Sequence, residues 1–150
     1  MENDTSVKQN GKKRLRTINS RNKGASAERE FIKLIKEQLG EAGKFNSIKR
    51  NLEQTRSGGH DITGVADWAL EVKRYASVTD GRLKKWWEQT TTQAKEIQMK
   101  PALAYKQDYG SWKVKIPLRL LDSNLFNEDK LEWTTDMSVS AWCSIVREYC

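Results

Sequence analysis

The chain has 150 residues, enough for one domain with tails and a real core, and a net charge of +7. Its two cysteines, Cys143 and Cys150, and its single histidine exclude a disulfide framework and a Cys/His zinc site. No run approaches the ~18 apolar residues that span a bilayer, and no apolar stretch follows the N-terminal charges as in a secretory signal. The chain therefore reads as soluble and intracellular, in the cytoplasm of a bacterial or phage-infected cell, with no membrane partner.

The charge is unevenly spread. Residues 1–23 carry seven Lys/Arg against two acids, residues 24–122 carry eighteen against thirteen, and residues 123–150 carry two against five. A basic arm and a basic body suggest a polyanion partner.

Residues 1–22 are polar, basic and poor in large apolar side chains, which predicts a disordered basic arm. From Gly24, the spacing of Ala27, Phe31, Leu34, Ile35 and Leu39 predicts an amphipathic helix, with Ser26 helping to cap it and Gly40 to Gly43 ending it. Phe45 to Arg50 reads as a first strand that Leu52 to Thr55 extends, before a turn at Ser57-Gly58-Gly59. Asp61 to Gly64 reads as a short strand, and Ala66 to Lys73 alternates as a half-buried one. A second helix is expected from Thr79 or Asp80 to about Met99, with Leu83, Trp86, Trp87, Thr90, Ala94 and Ile97 on its apolar side. Pro101 breaks it. Ala102 to Tyr105 and Trp112 to Ile116 read as strands joined by a hairpin turn at Gly110. Beyond Asp122, a short helix is expected at Val139 to Val146. The expected organisation is thus an arm at 1–22, a domain at 23–122 and an acidic C-terminal extension at 123–150.

The most informative constellation is Gly58-Gly59-His60-Asp61 followed ten residues after the aspartate by Glu71-Val72-Lys73. Residues two apart on a strand share a face, so Glu71 and Lys73 project together while Val72 faces the core. Asp61, at the end of a neighbouring strand, then meets Glu71 across a small gap. Two close carboxylates repel unless a cation lies between them, and oxygen-only ligation suits Mg²⁺, with Mn²⁺ as a substitute. A lysine beside them suits a developing charge on phosphate or an attacking water. This is the chemistry of metal-dependent phosphodiester cleavage.

These residues resemble the PD-(D/E)xK nuclease superfamily. More narrowly, Lys23-Gly24-Ala25-Ser26-Ala27-Glu28-Arg29-Glu30, Arg56-Ser57-Gly58-Gly59 before Asp61, Glu71-Val72-Lys73 and Pro101 to Lys106 with Trp112 resemble the archaeal-type Holliday junction resolvases. Arg50-Asn51-Leu52-Glu53-Gln54-Thr55-Arg56 is similar to phage and prophage members. The resemblance covers residues 23–117. It implies a restriction-endonuclease-like α/β core (helix, three strands, helix, two strands) with a mixed five-stranded sheet. It also implies Asp61 and Glu71 as metal carboxylates, the Val72 carbonyl as a further ligand, and Lys73 as the residue that positions or activates water. Glu28 would complete the acidic cluster, directly or through water. Arg29 and Arg56 would hold DNA phosphates, with Lys23 and Arg74 flanking them. The interval from Glu28 to Asp61 is longer than in archaeal members, so Arg50 competes with Arg56 for the active-site arginine.

Other polar residues read as ordinary. Glu30 points about 200° around the helix from Glu28 and is expected in solvent; His60 is expected to be an exposed histidine, Asp67 a strand-edge or turn acid, and Gln93 part of a solvated helix face. For Gln93 the resemblance also implies a position where some superfamily nucleases place a glutamine near the metal site. Trp86 and Trp87 suit either core or a dimer contact. The function expected is a Mg²⁺-dependent endonuclease that resolves four-way DNA junctions as a homodimer. A phage-type nuclease of broader branched, flap or duplex DNA specificity is the alternative, and a DNA-binding module without catalysis stands behind both.

Overall fold

The structure, a computed structural model, describes residues 23–40, 45, 47–53, 60–124 and 128–148. The expected basic arm at 1–22, the Gly58-Gly59 turn, Arg56 and Cys150 lie outside the described residues. Helix α1 covers residues 23–39, and Gly40, with φ +84°, donates its N–H to the Lys36 carbonyl at 2.8 Å to close it. Positive φ at the residue after a helix favours glycine. Ser26 lies inside this helix instead of capping it.

Strands β1 (Lys49–Arg50), β2 (Ile62–Thr63), β3 (Trp68–Tyr75), β4 (Lys100–Gln107), β5 (Lys113–Pro117) and β6 (Thr134–Met137) form one sheet in chain order. Among the described residues only β3 and β4 pair in parallel, and helix α2 (Asp80–Glu96) is the crossover between them, as parallel strands require. Thr79 caps α2 by accepting from the Arg82 N–H. The five expected strands are present, and β6 makes a sixth. It pairs antiparallel with β5 from Val114↔Met137 to Pro117↔Thr134. Helix α3 (Val139–Glu148) follows, where a short helix was expected.

The fold has three layers. On one face, Ala27, Phe31 and Ile35 of α1 and Trp142 of α3 pack against Leu70, Val72, Ala104 and Val114. On the other, Trp86 and Trp87 of α2 pack on Leu103 and Tyr105. Residues 68–72 are buried on both faces, as expected of an interior strand beside a parallel neighbour. One close approach fixes the sheet edge: a Cβ at Gly64 would lie 2.3 Å from the Ser47 carbonyl oxygen, and its φ is +95°. Only glycine fits there. Among the described residues, no helix is long and apolar enough to cross a membrane.

Candidate active site

Ile62 pairs with Leu70, so extending that antiparallel register places Asp61 opposite Glu71. The Asp61 N–H donates to the Leu70 carbonyl at 2.9 Å, and Asp61 Oδ2 accepts from the Val72 N–H at 2.8 Å. The strand's own backbone thus holds the carboxylate against β3. Both acids are buried, Asp61 at 6% exposure and Glu71 at 2%. Neither Glu71 oxygen has a hydrogen-bond partner. Burial pushes the Glu71 carboxyl up to about 9; the neighbouring Asp61 and Glu28 carboxylates add to it, and Lys73 opposes them. Such a pair is relieved by a shared proton or by a cation between the acids. The orphaned buried oxygens therefore fit a divalent ion. In an extended strand the N–H and C=O of one residue point the same way, so the Val72 carbonyl opens on the Asp61 side.

Glu28 and Arg50 approach this pair from the α1 side. Arg50 Nε donates to Glu28 Oε2 at 2.6 Å. The Glu28 carboxyl is raised by burial, an effect the Arg50 hydrogen bond opposes and the Asp61 charge reinforces. The strand bearing Arg50 is tied to the site, since Asn51 donates from its N–H to the Asp61 carbonyl at 2.8 Å and from Nδ2 to the His60 carbonyl at 2.9 Å. The structure thus brings Arg50 to Glu28 at the edge of the carboxylate pair. Among the described residues, no three His, Cys, Asp or Glu side chains converge as a metal cluster. The structure brings Asp61 and Glu71 together as a buried pair, while Glu28 is engaged by Arg50.

Glu30, His60 and Gln93 look different from what was expected. Glu30 is not solvated: it accepts from Arg74 Nη1 at 2.8 Å, Lys106 Nζ at 2.9 Å and Trp112 Nε1 at 3.1 Å. The signal was legible, because Ala27, Glu30, Phe31 and Leu34 follow the i, i+3, i+4, i+7 spacing of a buried stripe. Arg74 also bonds Asp108 at 3.3 Å and Lys23 bonds Asp108 at 3.0 Å, so both expected DNA contacts take part in ion pairs that tie α1 to the ends of β3 and β4. Arg29 is exposed on α1 beside Lys33 and Lys36. His60 is half-buried, not exposed; its Nδ1 has no partner, and burial lowers its pKa against the pull of Asp61. Gln93 is half-buried with an unpartnered, buried Oε1 rather than on a solvated face. Trp86 and Trp87 are covered by their own chain, and Trp87 Nε1 donates to the Asp129 carbonyl at 2.6 Å.

A family model described as "Phage putative PDDEXK endonuclease" matches residues 19–141. The chain belongs to this phage PD-(D/E)xK endonuclease family. The α/β fold is accordingly of the restriction-endonuclease-like kind, and the protein is a nuclease of a class that uses divalent cations. Among curated relatives, Protein D14 of Escherichia phage T5 is 25% identical over 118 residues, 66% of this chain and 71% of that protein. A solved structure of Hjc, a Holliday junction resolvase from the archaeal hyperthermophile Archaeoglobus fulgidus, aligns with a TM-score of 0.43 at 17% identity. That alignment covers 78% of this chain and 98% of the archaeal one.

Proposed function

We propose that this nuclease is a Mg²⁺-dependent endonuclease that resolves four-way DNA junctions as a homodimer inside the host cell. The observation that carries the catalytic part is the buried Glu71 carboxylate, whose two oxygens lack donors beside Asp61. Asp61, Glu71 and the Val72 carbonyl hold the ion, with Mn²⁺ as a substitute. When bound, the ion neutralises the carboxylate pair, polarises the phosphate and eases deprotonation of the attacking water. Lys73, on the same strand face as Glu71, orients that water and opposes charge building on the phosphate. Arg50, held through Nε by Glu28, turns its remaining N–H groups to a phosphate oxygen. Arg29 and Arg56 contact flanking phosphates.

Junction resolution rests on the resemblance of residues 23–117 to archaeal-type resolvases. Two opposed strands need two nicks, and a two-fold pair of chains supplies one carboxylate pair for each. Recognition follows backbone and branch shape more than base edges, and the arm at 1–22 adds salt-sensitive affinity.

The test compares a labelled immobile four-way junction with matched flap and duplex DNA, in Mg²⁺ and in chelator. Symmetric paired nicks confined to the junction are expected. Cutting of duplex and flaps without junction preference would keep the nuclease and refute the resolvase role. Tight junction binding with no cutting in Mg²⁺ or Mn²⁺ would refute the catalytic assignment.

A further inference from the structure

We propose that Tyr75 and Arg82 form a subsite for an unpaired nucleobase beside the cleaved phosphate, through which the enzyme senses a branch by stacking. The subsite rests on the nuclease reading of Glu71 and Lys73, and it names a substrate feature that reading leaves unspecified.

Side chains on one face of β3 fall at every second residue, about 6.6 Å apart. Glu71, Lys73 and Tyr75 therefore form one row running out of the core. Exposure rises along it, from 2% at Glu71, through half-buried Lys73, to 40% at Tyr75. A nucleotide whose phosphate meets Lys73 thus has a neighbouring base within reach of Tyr75.

Tyr75 is built to be rigid. Its ring packs against Trp86 with centroids 4.9 Å apart at 39°. Trp86 itself is buried in the cluster with Trp87, Leu103 and Tyr105. The backbone around it is pinned, since the Asp108 N–H donates to the Tyr75 carbonyl at 2.8 Å and the Val78 N–H to Gln107 Oε1 at 3.2 Å. The Arg82 guanidinium lies 5.2 Å from the Tyr75 ring centroid. Its Nη1 donates to the Ser77 carbonyl at 2.6 Å and to Ser77 Oγ at 3.2 Å, which fixes its plane. A shallow cavity of about 380 Å³, lined by Thr79, Gly81, Arg82, Lys84, Lys85 and Glu88, opens on the Arg82 side.

With Trp86 against the ring and the guanidinium over it, the exposed part of Tyr75 and the outer plane of Arg82 together offer a base a stacking surface. Bases inside continuous duplex are already stacked on both faces, and unstacking them has a cost. A base at a branch point has lost its continuous stack on one side, and it is freed at a lower cost than a base inside duplex. The platform therefore favours branched DNA over duplex without reading sequence.

The test is a cycle between protein and substrate. Branched DNA carrying either a natural or an abasic nucleotide beside the cleaved phosphate, on each side in turn, is cut by the unaltered chain and by three variants: Tyr75→Phe, Tyr75→Leu and Arg82→Lys. The unaltered chain and Tyr75→Phe should lose roughly tenfold in kcat/KM on the abasic DNA. Tyr75→Leu and Arg82→Lys should lose a similar factor on natural DNA and no longer distinguish the two substrates. A merely structural role would lower both rates alike and leave the sensitivity to the missing base. Arg82→Lys keeps the charge at an exposed position, so it gives a result even where Tyr75→Leu fails to fold. Equal cleavage of natural and abasic DNA by the unaltered chain would overturn the subsite, as would full base sensitivity in both variants. A complete lack of cleavage by the unaltered chain would overturn the nuclease reading beneath it.

Discussion

Glu30 on α1 and Glu71 on β3 are carboxylates of opposite electrostatic fate. Glu30 accepts from Arg74, Lys106 and Trp112, and these donors hold its carboxyl below the usual range against a smaller exposure to the core than Glu71 has. Glu71 is buried beside Asp61 with no donor, and its carboxyl is pushed up to about 9. The first cluster is complete and holds helix to sheet. The second lacks donors, and buried charge left uncompensated is costly. The comparison separates acids satisfied within the fold from the acids proposed to do chemistry in it.

The largest effect is expected at the second cluster. Glu71→Gln should lower Mg²⁺-dependent cleavage by roughly three orders of magnitude or more, read as single-turnover rates on branched DNA. Junction binding should survive it. Next is the pH dependence of the metal-free protein. A carboxyl raised from 4.5 to about 9 in the fold contributes stability that is fully present below the unfolded value, and this contribution declines as pH rises through that window. Stability should therefore fall between about pH 4.5 and 9 in chelator, Mg²⁺ should restore it at the alkaline end, and Glu71→Gln should flatten the curve. Denaturant midpoints across pH would show this; a flat curve for the unaltered chain would break the contrast.

The first cluster should respond in the reverse sense. Glu30→Ala leaves Arg74 and Lys106 without this partner and should destabilise the fold by about 1–2 kcal/mol, a figure limited by solvent screening. Cleavage at a temperature where the variant is folded should persist. Loss of activity at unchanged stability would instead place Glu30 in the chemistry. The smallest effect is expected from deleting residues 1–22, which should lessen the salt dependence of DNA binding with little change in the cleavage rate at saturation.

Much of this was legible because periodicity is local. The α1 stripe, α2 with its Thr79 start, the alternation of β3 and the hairpin at Gly110 all follow from spacing and turn chemistry. Asp61 and Glu71 were legible as a pair because one register links a strand end to its neighbour. The ion pairs of Lys23, Arg74 and Asp108 were not, since they join residues as far as 85 apart in the chain. Strand β6 was missed because Thr134–Met137 is short and lacks an apolar alternation; its pairing with β5, and the Lys115–Asp136 ion pair at 3.0 Å, place it in the sheet. The tryptophan pair on α2 suggested a partner subunit because the cover supplied by Leu131 and Asp129 comes from a segment with weak pattern.

Titration calorimetry of Mn²⁺ into the full chain and into Glu71→Gln, at neutral pH and with uncleavable branched DNA present, tests the central claim most directly. Saturable binding of the ion with proton release, lost in Glu71→Gln, is the predicted result. Undiminished binding in Glu71→Gln, or no binding to the unaltered chain, would contradict the assignment of the Asp61–Glu71 pair as the metal site.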